Sequence, residues 1–481
     1  MPKQYIRVKI RCNLFIGLSF LLGAFTAQAG GTKTGPKKHQ IKFTVIGLHD
    51  TKCFLGCHYG DKDYVQDTAI VDSKGNFEFS GEKELEGGIY FVMIPSKKYF
   101  EFIVDKEQKF SITVDTTDFI KSMKVTGSEE NEEFYKYLNF VTFIHDKISK
   151  VQEDAKTVAE KEAAKHQEDT LNEEVRKFKL DFIKRHPEMF LSKVFNASEI
   201  PIVPPAPKLA NGRTDSTFAF KYYKVHFFDG VDFSEGRLVR SPVLYPRIKE
   251  YLTRLTVQNP DSVIAAADYL VMRARASKEM FKFIVAYITS TYESSNIMGM
   301  DAVFVHMAKQ YYTADQATWV SASQLEKIKE RAIQLDPILI GKKAPSIVLP
   351  DTSNVMQAMD SIKARFTVVY FWDYDCGHCQ KETPLLIKWY DSIKGEGIEV
   401  YAVQTNENSI AKWKDYIKLH KLDWMNISDI FHTSNFRHEY DVVTTPMIYI
   451  LDENKKIIAK KLDVDELNKV IKHFLEKGSG K

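Results

Sequence analysis

From Gln40 to about Val125, apolar and polar residues alternate in short runs. Ile41-Lys42-Phe43-Thr44-Val45-Ile46, Gly75-Asn76-Phe77-Glu78-Phe79 and Tyr99-Phe100-Glu101-Phe102-Ile103-Val104 each place apolar side chains on one face at a period of two. Ser73-Lys74-Gly75-Asn76 and Glu86-Gly87-Gly88 supply turns between such runs. The pattern predicts an N-terminal antiparallel β domain over residues 40–127, a sandwich or curved sheet.

At Ser128 the period changes. Ser128 precedes Glu129, Glu130 and Glu132, so acids fill the first turn of a helix whose N-terminus favours negative charge. Phe134, Tyr137, Leu138, Val141 and Ile144 then recur at helical spacing. Residues 150–178 are rich in Lys, Glu and Ala without a sustained heptad, which predicts a solvated helix or helical hairpin ending at Arg185-His186-Pro187. A proline-rich stretch, Ile200 to Pro207, is read as stiff and non-helical. The aromatic cluster Tyr222, Tyr223, Phe227 and Phe228 is read as core, and helical patterns resume from about Pro246 to Gln334. Residues 128–335 are therefore expected to form an α-helical domain. His226 and His306 stand isolated in it, with no acid–His–nucleophile grouping arguable from spacing.

After a linker around Asp336–Pro345, strand and helix patterns alternate. Strands are expected near Ser346–Leu349 and at Phe366–Trp372, Ile398–Val403, Met447–Leu451 and Lys456–Lys460. Helices are expected from Gln380 to about Lys394, over Ile410–His420 and over Val464–Leu475. Such alternation, closed by a hairpin and a helix, implies a mixed sheet with helices on both faces over residues 337–478. The fold class is thus multidomain, α+β and α/β.

Composition places the chain in a compartment. At 481 residues it exceeds one core, and 44% hydrophobic with 27% charged residues describes an ordinary globular protein. The first 29 residues carry Lys3, Arg7, Lys9 and Arg11 but no acid, then an apolar run from Leu14 to Phe25 and a small-residue site at Ala27-Gln28-Ala29. This is the pattern of a secretory signal peptide over residues 1–29. The other reading, an uncleaved anchor, needs a span of ~20 apolar residues, and this run is shorter. Cys12 precedes the apolar run, so a lipoprotein anchor is not expected. Cleavage would remove those four cations and leave a near-neutral chain, with nothing to suggest nucleic acid and no membrane span. The expectation is a periplasmic protein.

Export would leave Cys53, Cys57, Cys376 and Cys379, too few for a disulfide scaffold in a chain this long. Cys53 and Cys57 share a face of one strand but would lie ~13 Å apart on a regular one. A disulfide would need a bulge or turn at Gly56. Two buried thiols, or a second redox or metal pair, both remain open.

Cys376-Gly377-His378-Cys379 is different, because it falls where a strand meets a helix. There Cys376 faces unpaired backbone N–H groups that favour a thiolate, with Cys379 one turn deeper. A structural disulfide or half of a metal site is the alternative, and no second pair of ligands is evident. No cofactor or metal is expected.

Residues 337–478 resemble the thioredoxin superfamily in its periplasmic TlpA/ResA-like branch. The resemblance rests on Cys376–Cys379 directly after Phe371-Trp372, on Pro384 five residues past the second cysteine, and on Thr445-Pro446 before a strand. Gly341-Lys342-Lys343-Ala344-Pro345 agrees with it. The resemblance implies a thiol–disulfide oxidoreductase in which Cys376 attacks and Cys379 resolves. His378 would tune the Cys376 thiolate, while Asp373 and Asp375 would oppose negative charge. Glu382 would assist deprotonation of Cys379, and Thr445, Pro446 and Trp372 would bind substrate. The buried acid that many thioredoxins carry falls at Tyr370 here.

Implied partners are thiols or disulfides of cell-envelope proteins and a membrane electron donor or acceptor upstream. Homodimerisation through the β domain would fit isomerase-like use, though no sequence feature demands it. A second class of function is also consistent with the sequence: an envelope-binding scaffold whose thioredoxin domain only tethers or senses.

Overall fold

A computed structural model describes residues 37–478. The signal-peptide pattern, Cys12 and most of the Gly/Lys-rich lead-in lie outside the described residues. The β domain comprises β1 (His39–Ile46), β2 (Thr51–Tyr59), β3 (Lys62–Val71), β4 (Asn76–Gly81), β5 (Gly88–Met93), β6 (Tyr99–Val104), β7 (Lys109–Asp115) and β8 (Lys124–Thr126). They form two four-stranded sheets, ordered β4-β1-β7-β8 and β3-β2-β5-β6. The period-two face of β1 supplies Ile41, Phe43 and Val45 to the core between them. Phe43 stacks on Phe77 at 5.0 Å and meets Phe102 edge-on at 5.6 Å.

The domain is not wholly antiparallel, as the sequence pattern suggested. β1 pairs with β7 in parallel, Phe43 opposite Ile112. Hairpin signals report only pairs joined by short turns, whereas β7 reaches β1 by crossing from the other sheet. Gly75 turns the chain from β3 in one sheet to β4 in the other at φ 83°, and a Cβ there would lie 2.4 Å from the Val45 carbonyl oxygen. Cys53 and Cys57 sit on β2, whose pairing with β3 shifts register between Leu55 and Gly56. Both are buried free thiols.

His58 gives this domain a pH dependence. Its Nδ1 lies 2.7 Å from Asp63 and its Nε2 3.0 Å from Glu101, so it bridges three strands. Burial disfavours the charged ring, but the two carboxylates outweigh it and raise the pKa to about 9. A raised folded-state pKa gives stability that is full below about 6.5 and is lost as pH climbs through about 9. At 1.36 kcal/mol per unit, the contribution is on the order of 3 kcal/mol. Thermal melts of wild type and His58→Gln should therefore differ most at pH 6 and converge by pH 9.5. A gap that is constant with pH would refute the assignment.

The helical domain contains α1 (Glu129–Asp154), α2 (Val158–Arg185), α3 (Phe190–Ser198), α4 (Phe218–His226), α5 (Leu244–Thr253), α6 (Pro260–Ala274), α7 (Lys278–Glu293), α8 (Asp301–Tyr311) and α9 (Ala322–Leu335). Ser128 caps α1 by accepting from the Asn131 N–H. The charged stretch is a helical hairpin of α1 and α2. Asn131 then docks the hairpin on the β domain: its side chain accepts from the Ile103 N–H and donates to the Ile103 carbonyl, both at 2.7 Å. Phe227 and Phe228 are core residues. His226 and His306 are not isolated: each meets a carboxylate, Asp229 at 2.6 Å and Asp268 at 2.7 Å. The Asp268 partner is 38 residues from His306 in sequence, beyond the reach of spacing arguments.

The C-terminal domain holds β9 (Val348–Pro350), β10 (Met356–Ala358), β11 (Phe366–Trp372), α10 (Gly377–Ile393), β12 (Ile398–Gln404), α11 (Ile410–His420), β13 (Met425–Ser428), α12 (Phe436–Glu439), β14 (Met447–Asp452), β15 (Ile457–Lys460) and α13 (Val464–Gly478). Its sheet runs β13-β12-β11-β14-β15, with β11–β13 parallel and β14 antiparallel to β11. Strand β13 and helix α12, too short to leave a periodic signal, complete it.

Alternate residues of β11 enter different cores. Val368, Tyr370 and Trp372 pack with α10, α11 and α13, whereas Val369 and Phe371 join an apolar cluster continuous with the helical domain through Val303, Leu335 and Ile338. The redox sheet is thereby seated on the helical domain. Among the described residues, no helix is long and apolar enough to cross a membrane.

Candidate active site

The site forms where β11 ends. Asp373, Tyr374 and Asp375 carry the chain from the strand to Cys376, which is the N-cap residue of α10, with extended backbone angles and no side-chain cap of its own. The first-turn amides of α10 consequently point at its sulfur. Cys376 is half-buried, and its Sγ donates to the Thr445 carbonyl at 3.5 Å. Cys379, one turn further, is 1% exposed. Its Sγ accepts from the Asp373 N–H at 3.4 Å. The Thr445–Pro446 bond is cis, and Pro384 lies within α10.

The two thiols are driven in opposite directions. Partial burial alone would raise Cys376, but the amides of Cys379 and His378, with contacts to Thr445 and the Cys379 thiol, outweigh it and lower the pKa. For Cys379, burial dominates and pushes the pKa up to about 12, against the Asp373 N–H and the Thr445 side chain. One sulfur is poised to be an anion at a surface. The other is held as a thiol beneath it.

The structure gathers Cys376, Cys379, Thr445 and Pro446 with the backbone of His378, and turns Trp372 and Glu382 elsewhere. Trp372 cannot touch substrate: it is 0% exposed, parallel to the Tyr370 ring at 6.1 Å and packed on Tyr416 at 5.4 Å. It is the last residue of β11, and strand alternation turns it into the core under α10 and α11. Glu382 is directed at α13, where it accepts from the Val464 N–H at 3.2 Å. There it complements a helix N-terminus, worth about 0.3–1 kcal/mol. His378 is exposed, and its backbone amide is the part that acts on Cys376.

Asp373 is also more constrained than its position suggests. Its carboxylate accepts from the Asn406 side chain at 3.1 and 3.2 Å and from the Asp375 N–H at 2.8 Å. This clamp fixes the loop whose amide reaches Cys379. Asn406 went unrecognised in the sequence, although it follows the carboxyl end of a parallel strand, where α/β sheets assemble their sites. Tyr370, in place of the buried acid, is itself buried and pairs with the Thr383 hydroxyl at 3.0 Å.

A half-buried thiol at a helix N-terminus, a buried thiol one turn on, and a cis-proline loop against the first sulfur define a thioredoxin-fold thiol–disulfide oxidoreductase. Comparison with known proteins agrees. Residues 340–460 match the AhpC/TSA family. Residues 39–134 and 156–336 match two domains of unknown function, DUF4369 and DUF5106. The chain is 25% identical over 138 residues to the thiol-disulfide oxidoreductase ResA of Bacillus thuringiensis, covering 29% of this chain and 78% of the relative. The solved thioredoxin domain of a thiol-disulfide oxidoreductase from Bacteroides vulgatus is 30% identical, covering 28% of this chain and 96% of that one, at a TM-score of 0.27. A thiol:disulfide interchange protein from a Bacteroides species is also 30% identical, covering 28% and 90%, at a TM-score of 0.26. The C-terminal domain, residues 340–460, is thus an AhpC/TSA thioredoxin-like domain.

Proposed function

We propose that this protein is an exported, periplasmic oxidoreductase that exchanges disulfides with cell-envelope proteins through Cys376 and Cys379. The observation that carries the reading is the opposite displacement of the two thiols beside the Thr445 carbonyl. The Cys376 thiolate attacks a substrate disulfide, forming a mixed disulfide and releasing one substrate thiolate. Cys379, once deprotonated, attacks the Cys376 sulfur, forming the Cys376–Cys379 disulfide and releasing the second substrate thiol. The substrate gains two electrons and the protein loses two, which a membrane-linked dithiol upstream restores. The same steps in reverse oxidise a dithiol substrate. Substrate would lie extended along Thr445 and Pro446, bound through its main chain.

The test is insulin reduction by the full chain in the presence of dithiothreitol, together with redox titration and cell fractionation. Turnover above background is expected, with a periplasmic protein whose N-terminus follows Ala29. A potential below about −250 mV would assign the protein as a reductant, and one above about −190 mV as an oxidant or isomerase. Absence of turnover would favour a tethering or sensing role instead, and a cytoplasmic, uncleaved protein would refute export.

A further inference from the structure

The loop that meets Cys376 is anchored from outside the redox domain. It begins at Asp441, which is 2% exposed and adopts a left-handed backbone at φ 52°. A non-glycine residue holds that conformation only where its surroundings impose it. Arg331, on α9 of the helical domain, grips this carboxylate with both ends of its guanidinium, at 2.6 and 3.0 Å. One turn along α9, Gln334 donates to the His438 carbonyl at 2.9 Å. Lys461 adds a longer contact to Asp441 at 3.3 Å. Four residues beyond Asp441, the Thr445 carbonyl accepts from Cys376.

We propose that Arg331 is a positioning residue for thiol–disulfide exchange: it clamps Asp441 from the helical domain and so fixes the Thr445–Pro446 loop against Cys376. A desolvated carboxylate needs its partner, and a bidentate guanidinium supplies direction as well as charge. With Arg331 gone, Asp441 keeps only the more exposed Lys461 and is drawn toward water. The segment from Asp441 to Thr445 then relaxes from its left-handed start. Both the groove for substrate main chain and the surroundings of the Cys376 sulfur would shift together. The helical domain, which contributes no reacting group, would thus control the reaction by holding one loop. The inference rests on the redox reading above.

The test compares wild type, Arg331→Met, Arg331→Lys and Cys376→Ser as full chains. Two quantities are read: insulin-reduction kinetics and the pH midpoint of Cys376 alkylation by iodoacetamide. Arg331→Met is expected to lose about ten- to a hundredfold in kcat/KM, the scale set by displacing a reacting group by an ångström or less. Its alkylation midpoint should rise, because the Thr445 side chain that helps hold the Cys376 pKa down is displaced with the loop, and Arg331→Lys should fall between the two. Mere loss of stability would lower the amount of active protein without moving that midpoint. If Arg331→Met does not fold, Arg331→Lys and Gln334→Ala decide by the same two readings. A folded variant with unchanged kcat/KM and midpoint overturns the clamp. Wild type that turns over no better than Cys376→Ser overturns the redox reading instead.

Discussion

Cys379→Ser is expected to turn the protein into a trap that accumulates mixed disulfides through Cys376. Cys376→Ser should abolish turnover and trapping alike, since serine stays un-ionised where the thiolate acts. The two variants separate attack from resolution because the two sulfurs differ in environment as well as position. Resolution carries a further signature. Burial is the largest cause of the raised Cys379 pKa, and it persists after Cys376 has been capped by substrate. Below a raised pKa the thiolate fraction grows about tenfold per pH unit. Stopped-flow release of substrate from the mixed disulfide should therefore quicken steeply from pH 6 to pH 9. A flat profile would mean that another group removes the Cys379 proton. The structure disfavours Glu382 for that task, because its carboxylate is engaged at the start of α13.

Removing Asp301 is expected to produce the largest loss of stability from one surface-distant change. Lys460 of β15 is buried, and its ammonium donates to Asp301 on α8 and, at 2.6 Å, to the Ile338 carbonyl. Desolvation already depresses the Lys460 pKa, and Asp301 is the main group opposing it. Breaking a buried pair from one side costs about 3–5 kcal/mol, because it leaves a charge unpaired. Asp301→Leu should therefore lower the melting transition of the helical and redox domains by several degrees. Adding Lys460→Met should recover most of that loss, since an apolar pair of similar volume is often neutral or better. A calorimetric double-mutant cycle checks this. If Asp301→Leu melts like wild type, Lys460 is not buried as the structure has it.

The parts of this architecture that were legible in the sequence are those written in neighbouring residues. Period-two runs gave β1, β4 and β6, and β11 stood out as one unbroken apolar run. Helical spacing and an N-cap acid cluster gave α1, and strand–helix alternation gave the mixed sheet. The dithiol was legible for the same reason. A helix N-terminus needs only a few consecutive residues to create its field, so Cys376–Cys379 carries its chemistry locally. Pro384 and Thr445-Pro446 added weight through their spacing alone.

What misled were inferences about where a side chain points or what it meets. Trp372 and Glu382 lie close to the cysteines in sequence, yet one is turned into the core by strand alternation and the other toward a helix 82 residues away. The parallel pairing of β1 with β7 and the meeting of Arg331 with Asp441 join segments no turn connects.

The amino-acid sequence by itself determined that this is a multidomain chain with a thioredoxin-type dithiol at a strand-to-helix junction. Only the tertiary structure decided which neighbours of that dithiol face it, and that a helical-domain arginine grips the loop opposite. The physical reason is one of range. Periodicity, capping and the helix dipole act within a turn or two of the chain, whereas burial and ion pairing depend on partners that folding brings together from far apart.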